Sequence, residues 1–558
     1  MNRKSFVLSA AAIFAAAASF AAEPVEGERS VFAHYMTCFG IDRTTARKEI
    51  SIAKMYGLDG FALNCGEWQR QNGDGWDDTA YVGTAKNLFS TAQELGGFKL
   101  FFSPDGGIGE IDYANHAGMG TQFHDDPALF HFGGRPVISG WNGGMRPYDK
   151  YPRLKEVLTE KGCGDYLIIP SYVCTGYAMF EPVDFLQSDI YDNPAFVCDG
   201  IFFFGCDNTD KETCRRIDNG RFAAMKNGKL FMAGPCPSYN SANMRDHHGM
   251  QGYAEQWRTI VADQPELVEV VTWNDNAEDS GLFSSGWSGY GITENLDTRL
   301  WMARDEAFLD LTAYFAAAYK SRGIYPEITQ DKLYAAYRTR PKWMTKFYRG
   351  EEQGWVDGRD RYMQIHDDVE DSVYASVMLT APAKLSIVQG DSVVSKEFPA
   401  GFNTLSAPMV PGATPEFIVE RDGEKVIETV GRRQIVAEAN ERNSASFEYD
   451  GIHRSWSQCA VAGAPAATFD VAGEVMDWEL PAGFVPGSYT VRVRYSNDTA
   501  EEARYTFYVD LPWVQGIKHR FPLYLPPTGG KEKELCFLWS VLDGATNIRI
   551  ARDQDLRQ

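Results

Sequence analysis

Eight short apolar runs, separated by amphipathic stretches, constrain the fold of residues 30–325 more than any other feature. The runs span 30–36, 59–64, 98–103, 135–141, 166–172, 198–204, 229–234 and 267–273. Six of them are followed by a stretch with helical periodicity, such as 44–57 and 252–264. Strands that alternate with helices predict a parallel sheet, and eight such units predict a closed (β/α)8 TIM-like barrel. The alternative, an open doubly wound sheet, is disfavoured because no glycine-rich phosphate-binding fingerprint follows the first run.

The pattern changes after residue 325. Apolar residues then alternate with polar ones along short runs, as over 371–380 and 487–495, and turn residues separate the runs. This period of two predicts antiparallel β-sandwiches. We therefore expect an α/β fold, with a barrel over 30–325 followed by two β-sandwich domains, over 326–435 and 436–558. Either sandwich could bind polysaccharide or brace the barrel, and bracing is the favoured role for the first.

The chain of 558 residues is acidic, with a formal net charge of −22. Nucleic acid requires a basic surface and anionic lipid headgroups would be repelled, so neither a nucleic-acid partner nor a membrane is expected. Aromatic residues make up 13% of the chain, with 13 Trp, 27 Tyr and 34 Phe. That richness is typical of secreted carbohydrate-active proteins.

The first 21 residues have the pattern of a secretory signal peptide. Arg3 and Lys4 form a charged start, an apolar stretch follows, and Ser19 and Ala21 are the small residues expected around a cleavage point. The alternative, a membrane anchor, is disfavoured because the apolar stretch is short. We expect a secreted or periplasmic protein.

The ten cysteines are scattered and contain no Cys-x-x-Cys pair. An exported protein permits disulfides, but their pairing does not follow from sequence, and buried free thiols are an equal alternative. No metal site and no cofactor is predicted. The oligomeric state stays open.

Catalytic residues of a barrel lie where strands end and loops begin, so the ends of the eight runs supply the candidates. They are His34, Asn64, Asp105, Trp141, Ser171, Tyr172, Trp273, Asn274, Asp275 and Glu278. The set contains carboxylates and aromatic rings but no Ser-His-Asp pattern and no phosphate cradle. Glycoside hydrolysis needs such carboxylates, one to protonate the departing oxygen and another to activate water or attack. Aromatic faces can stack on the sugar rings.

Asp275 and Glu278 are three residues apart. In a helical turn this spacing places both on one side, with Cβ atoms roughly 5–6 Å apart. Mutual repulsion and burial would raise the pKa of one of them, as a general acid requires. The alternative is that this pair belongs to a solvated acidic loop without a catalytic role.

The stretch "VVTWNDNAEDSG" (270–281) resembles the W-N-D-Y-G-E-S segment of glycoside hydrolase family 71, the α-1,3-glucanases or mutanases. The stretches "VFAHYMTC", "GLDGFALN", "FKLFFSPD" and "IIPSY" are similar to further blocks of that family, in order, over roughly residues 31–283. The resemblance implies a secreted enzyme that cleaves an α-linked glucan with inversion, acting on a polysaccharide partner. It also implies that the essential acids are Asp105, Asp275 and Glu278.

The sequence departs from the family pattern beside these acids. Asn276 and Ala277 stand where the family has Tyr-Gly, and Pro104 replaces the usual Phe before the third-strand acid. Substrate identity is therefore more open than the reaction class, and another α-glycan is a close alternative. A different class, a non-catalytic glycan-binding protein on a decayed barrel, is disfavoured because binding alone does not need three carboxylates.

The remaining candidates also have structural alternatives. Asp105 could be a turn residue in "PDGG", His34 a core histidine, and Asn64 a residue that holds a loop. The seven non-acidic candidates are assigned to substrate binding. The candidate sugar platforms are Trp68, Trp141, Trp273 and Trp287, of which we expect about two in the cleft. Glu278 is the favoured acid because its side chain is longer, and Asp275 or Asp105 would hold the water.

Overall fold

The structure, a computed structural model, describes residues 29–437 with gaps, and eight strands beyond them. The gaps are 73–74, 106–117, 142–150, 172–197, 207, 227, 240–242, 245–247, 276–277, 279, 284–297, 339–340, 342–363, 366–368, 432–433 and 436. The expected signal peptide lies outside the described residues, and so do the candidates Tyr172 and Trp287.

A curled parallel sheet forms the first part of the molecule. Its strands are β1 (Ser30–Met36), β2 (Gly60–Cys65), β3 (Lys99–Pro104), β4 (Arg135–Ile138), β5 (Leu167–Ile168), β6 (Gly200–Phe204), β7 (Leu230–Gly234) and β8 (Leu267–Val270). They pair in parallel in the order β5, β4, β3, β2, β1, β8, β7, β6. An isolated parallel bridge between Ser171 and Phe202 also joins the chain after β5 to β6. All eight apolar runs of the sequence contribute a strand, and the prediction of a parallel α/β sheet is confirmed.

Helices connect the strands. They are Arg43–Met55, Ala80–Leu95, Tyr151–Glu160, Asp210–Lys226, Gln251–Asp263 and Thr298–Lys320. The first begins where the Asp42 side chain accepts a hydrogen bond from the backbone of Thr45 at 2.7 Å, as an N-cap residue does. The second ends at Gly96, whose φ of 62° suits a residue without Cβ.

Side chains alternate between the two faces of each strand. On β1, Val31, Ala33 and Tyr35 belong to the core between sheet and helices, whereas Phe32 belongs to a second core inside the sheet. The strands are apolar on both faces because both faces are buried. A polar side chain at an inward position therefore has no water around it and needs partners from neighbouring strands.

Two antiparallel sheets follow the parallel one. Their strands are β9 (Lys332–Tyr337), β10 (Ser372–Leu379), β11 (Ala383–Gln389), β12 (Ser392–Phe398), β13 (Gly401–Pro408), β14 (Glu416–Arg421), β15 (Glu424–Val430) and β16 (Ala460–Ala462). One sheet has the order β13, β10, β9, β16 and the other β12, β11, β14, β15. Leu333 and Val377 of the first sheet share one buried cluster with Ile387 and Phe417 of the second. The two sheets are therefore held together by a common apolar core.

Strand β16 lies beyond residue 436 and pairs with β9, across the expected boundary between the two sandwich domains. The later strands form two further antiparallel sheets. They are Thr468–Ala472, Val475–Glu479, Thr490–Ser496, Tyr505–Tyr508, His519–Pro522, Glu534–Trp539 and Thr546–Arg552. Among the described helices, none combines the length and the apolar character that crossing a membrane requires.

Candidate active site

A buried histidine and a buried glutamate are hydrogen-bonded inside the parallel sheet. His34 Nδ1 of β1 is 2.6 Å from Glu269 Oε1 of β8, and the two side chains are 1% and 0% exposed. The second oxygen of Glu269 accepts a hydrogen bond from the Ser139 hydroxyl at 3.3 Å. Burial raises the pKa of Glu269, and the hydrogen bond with His34 opposes that effect. Sequence analysis did not single out Glu269, although an acid within an apolar strand was the available signal.

Asn64 links this pair to Asp105. Asn64 Nδ2 lies 3.0 Å from His34 Nε2 and 3.2 Å from Asp105 Oδ2. Burial raises the pKa of Asp105, and the hydrogen bond from Asn64 lowers it. The backbone N–H of Asp105 donates to the carbonyl of Cys65, which ends β2, so this acid lies beside the end of the second strand. His34, Asn64 and Asp105 are thus brought together as one hydrogen-bonded set.

Asp275 and Glu278 lie on a loop that folds back on itself. Backbone hydrogen bonds join Thr272 to Ser280 and to Leu282, at 3.0 and 2.9 Å. The carbonyl of Asp275 accepts from the N–H of Ser280, and the N–H of Glu278 donates to Asp275 Oδ1 at 3.3 Å. Asp275 is 8% exposed. The Asp275 carboxylate is therefore buried against the backbone of its own loop, whereas Glu278 is partly exposed.

Asp105 and Asp275 lie at the same edge of the sheet, because Asp105 directly follows β3 and the loop with Asp275 is bonded to Met36 at the end of β1. Partial burial raises the pKa of the Cys38 thiol to about 11, and the negative charges of Asp275 and Asp105 add to the increase. Burial also raises the pKa of Cys206, again with contributions from Glu278 and Asp275. Each of the three acids therefore raises the pKa of at least one thiol that follows the carboxyl end of a strand.

Asn274 bonds to the protein backbone. Its Oδ1 accepts from the N–H of Met36 at 2.7 Å, and its Nδ2 donates to the carbonyl of Met36 at 3.3 Å. These two bonds attach the acid-bearing loop to the end of β1. Substrate binding by Asn274 stays a prediction, and in this structure its amide positions the loop.

The aromatic candidates differ in exposure. Trp273 is fully buried, packs 5.0 Å from Phe61 between ring centroids, and donates its Nε1–H to Glu49 at 3.2 Å. Trp68 is also buried, at 1% exposure. Neither offers an open ring face to a sugar. Trp141 is partly exposed, pairs with Asp105 in a parallel bridge, and lies 6.4 Å from Phe204 between ring centroids.

Ser171 follows β5 and is buried at 4% exposure. Within the described part of the chain, its hydroxyl oxygen has no hydrogen-bond partner. A buried hydroxyl without a partner costs free energy, so this position suits a group that completes its bonding when a ligand arrives. Within the same ranges, no three His, Cys, Asp or Glu side chains come together in a way that could hold a metal ion.

The described cysteines are free thiols. They are Cys38, Cys65, Cys163, Cys198, Cys206, Cys214 and Cys236. Cys206 and Cys236 have their sulfur atoms 3.5 Å apart. The alternative of buried free thiols, left open by the sequence, describes five of these seven, because Cys38 is exposed and Cys214 is partly exposed.

Carboxylates gathered at the strand ends of a parallel α/β sheet, with an aromatic ring beside them, are the groups that glycoside hydrolysis needs, and the family match shows that the protein is a glycoside hydrolase. The family can be named as well. The model of glycosyl hydrolase family 71 matches residues 27–449, and the chain belongs to that family. The resemblance seen in the sequence is confirmed.

Two curated relatives cover most of the same region. The glucan endo-1,3-alpha-glucosidase agn1 of Schizosaccharomyces pombe is 25% identical over 426 residues, which is 71% of this chain and 88% of the relative. A mutanase of Penicillium rubens, Pc12g07500, is 24% identical over 435 residues, which is 72% of this chain and 84% of the relative.

Solved structures are similar at lower levels. The GH99 endo-alpha-mannosidase from Bacteroides thetaiotaomicron aligns with 52% of this chain and 98% of its own, at 13% identity and a TM-score of 0.40. An endo-beta-1,4-mannanase from Thermotoga petrophila aligns with 74% of this chain and 99% of its own, at 11% identity and a TM-score of 0.39.

Proposed function

We propose that this protein hydrolyses α-1,3-glucan, cutting within the chain by an inverting mechanism that uses two carboxylates. The observation that carries the proposal is the set of three acids, Asp105 after β3 and Asp275 and Glu278 on the loop after β8, at the carboxyl ends of the parallel strands. The relatives named as an endo-1,3-alpha-glucosidase and a mutanase support the choice of linkage.

Glu278 is proposed as the general acid. Its side chain is one methylene longer than that of aspartate, so it can reach the oxygen between two sugars. The Asp275 carboxylate accepts from the backbone N–H of Glu278, so the two acids are neighbours in one loop, and a close carboxylate disfavours ionisation of its neighbour. A carboxylic acid that stays protonated can donate its proton to the departing oxygen.

Asp105 is proposed to act with the loop acids across the cleft. The strands β3 and β8 are separated by β2 and β1, which corresponds to about 14 Å along the sheet. Curling of the sheet shortens that path, and inward side chains shorten it again. An inverting pair needs carboxyl groups roughly 6.5–9.5 Å apart, so that water fits between one of them and the sugar. A pair that includes Asp105 suits this gap better than two neighbours on one loop.

Substrate contacts are proposed for the other residues at the strand ends. Trp141 is an aromatic residue with accessible surface beside Asp105, and the unpartnered hydroxyl of Ser171 can bond a sugar hydroxyl. Substrate binding by Tyr172 remains a prediction. His34 and Asn64, which are bonded to one another, fit a role in orienting Asp105. Asn274 and Trp273 fit a role in holding the loop that carries Asp275 and Glu278.

The finer architecture is part of the proposal. The bridge between Ser171 and Phe202 supports closure of the sheet into a complete (β/α)8 barrel over 30–325. The shared core of the two antiparallel sheets supports a sandwich over 326–435, with a second domain over 436–558. Residues 1–21 are proposed as a signal peptide, which would direct the chain to the periplasm or the medium.

Product analysis on a panel of glycans tests the function. The protein would be incubated with insoluble α-1,3-glucan, other α-glucans, β-glucans and mannans, with Asp275→Asn as the inactive match. We expect soluble oligosaccharides from α-1,3-glucan with the native protein only. Binding to the glucan without release of sugar would instead indicate a glycan-binding protein, and products from another polysaccharide would overturn the linkage.

A further inference from the structure

The orientation of the Asn64 amide determines which group donates and which accepts in the hydrogen bonds that run from Asp105 through His34 to Glu269. An ionised carboxylate accepts hydrogen bonds and cannot donate them. The Asn64 atom that faces Asp105 Oδ2, at 3.2 Å, is the amide nitrogen, and it is therefore a donor to ionised Asp105. The same nitrogen lies 3.0 Å from His34 Nε2. Since Asn64 donates there as well, Nε2 must be the acceptor and carries no proton.

The tautomer of His34 follows from this bond. A neutral imidazole has one N–H, so the proton of His34 is on Nδ1. That nitrogen lies 2.6 Å from Glu269 Oε1. Ser139 donates to the other oxygen of Glu269, so both oxygens accept, as they do in a carboxylate. These hydrogen bonds are mutually consistent when Glu269 is negatively charged, His34 carries its proton on Nδ1 and Asn64 donates to Asp105.

We propose that Glu269 is a positioning residue that acts through His34, fixing the tautomer that keeps the Asn64 donor on Asp105. The inference rests on the proposed function, in which ionised Asp105 takes part in catalysis. Carboxylates also orient the histidines of other sites in this way, by accepting from one ring nitrogen and so determining what the other can do.

The opposite tautomer would break the arrangement. With the proton on Nε2, two donors would face each other between His34 and Asn64. The amide would have to turn, which would bring its carbonyl oxygen towards the carboxylate of Asp105. Two acceptors repel, so Asp105 would lose a hydrogen bond that favours its charged form.

The described groups around the His34 ring include a carboxylate, an amide and an aromatic ring. Glu269 faces one nitrogen, Asn64 faces the other, and the edge-to-face ring of Phe204 has its centroid 5.1 Å away. Asp105 is a second acid whose charge interacts with the His34 ring. Of these groups, Glu269 is the one that accepts directly from Nδ1.

The substitution Glu269→Gln removes the charge and keeps the shape. Either end of the new amide can face Nδ1, so the ring tautomer is no longer fixed. We expect kcat/KM to fall roughly tenfold, the scale of one hydrogen bond to a charged group, with KM little changed. The acid limb of the pH profile should move to higher pH, because the hydrogen bond from Asn64 lowers the pKa of Asp105 and its loss raises it. An unchanged pH profile would overturn the proposal.

Glu49→Gln is the matched control. Glu49 is also a buried glutamate, 2% exposed, and its pKa is raised by burial, but it bonds to Trp273 on the helix side of the sheet. It should lower the melting temperature and leave the acid limb where it is. A shift of the acid limb with Glu49→Gln would mean that loss of any buried carboxylate has this effect, which also contradicts the proposal.

A double-substitution experiment separates relayed from independent effects. Asn64→Ala removes the link between His34 and Asp105, so it should shift the acid limb by itself. Adding Glu269→Gln should then cause no further shift, because the two residues act in series. Additive shifts would show that Glu269 acts independently of Asn64 and would overturn the relay.

The wild-type protein supplies a test that does not depend on activity. After selective ¹⁵N-histidine labelling, the ring nitrogens of His34 can be assigned by the signals lost in His34→Gln. We expect a protonated Nδ1 and an unprotonated Nε2 at neutral pH. A protonated Nε2 would overturn the inference, even if the enzyme were active. Full turnover by Asp105→Asn would instead remove the proposed role of Asp105, and the ring signals would still decide the tautomer.

Discussion

Asn274 holds both backbone groups of Met36: its Oδ1 accepts from the Met36 N–H at 2.7 Å, and its Nδ2 donates to the Met36 carbonyl at 3.3 Å. The loop that carries Asp275 and Glu278 is thereby attached to the end of the first strand. The geometry of the acids therefore depends on a residue that bonds to backbone.

The substitution Asn274→Ala tests this attachment. It leaves the Met36 backbone without its side-chain partner, so we expect a fall in kcat of about 10²-fold, the cost of misplacing catalytic groups by about 1 Å. A stability loss of about 1 kcal/mol should accompany it. KM and melting temperature would be measured beside kcat. A rise in KM at constant kcat would instead assign Asn274 to substrate binding.

Trp273 and Trp141 should respond differently to substitution. Trp273→Phe takes away the donor to buried Glu49, so it should destabilise the fold by about 1–3 kcal/mol and leave KM unchanged. Trp141→Ala, at a partly exposed ring beside Asp105, should raise KM for the polysaccharide and change stability little. Thermal unfolding and initial rates on soluble α-1,3-glucan fragments distinguish the two. Equal KM effects would mean that both rings contact sugar.

Asp275→Asn and Glu278→Gln should each lower turnover by at least about 10²-fold, as expected for the loss of a general acid or base. Both changes keep the side-chain shape, so circular dichroism and melting temperature should stay close to wild type. Glu397→Gln and Asp391→Asn, at exposed positions in the antiparallel region, are the matched controls. Near-normal rates in either loop variant would contradict the assignment.

Asp331 should make stability depend on pH. Burial raises its pKa, but hydrogen bonds from Arg421 and Thr380 outweigh burial and hold the pKa below the ordinary value of 3.8. The unfolded chain therefore binds a proton before the folded one does, and the stabilisation is present above about pH 3.8 and lost as pH falls through the lowered pKa. Asp331→Asn should lower the melting temperature at pH 7 and differ less from wild type near pH 3. A difference that grows towards low pH would reverse this sign.

Much of the fold could be predicted because buried parallel strands must be apolar on both faces. Each of the eight apolar runs contains a strand of the sheet, and the ends of those strands bring His34, Asn64 and Asp105 into contact. Sequence spacing was sufficient here because a side chain at a strand end has a fixed position relative to the sheet.

Trp273 and Glu269 could not be assigned in the same way. Strand β8 ends at Val270 and the chain then turns, so the alternation of faces does not extend to Trp273, which lies in the core on the helix side. Glu269 lies within an apolar run, and its partners Ser139 and His34 are 130 and 235 residues away in sequence. Contacts of this kind depend on the order in which strands pair, which residue patterns do not state.

The anomeric form of the first product tests the proposed mechanism most directly. Soluble α-1,3-glucan fragments would be hydrolysed in an NMR tube and the anomeric protons followed before mutarotation equilibrates them. Inversion, with Asp105 and a loop acid on opposite sides of the cleaved bond, predicts that the β-anomer appears first. If the α-anomer appears first, the reaction proceeds with retention, and the roles given to Asp105, Asp275 and Glu278 are wrong.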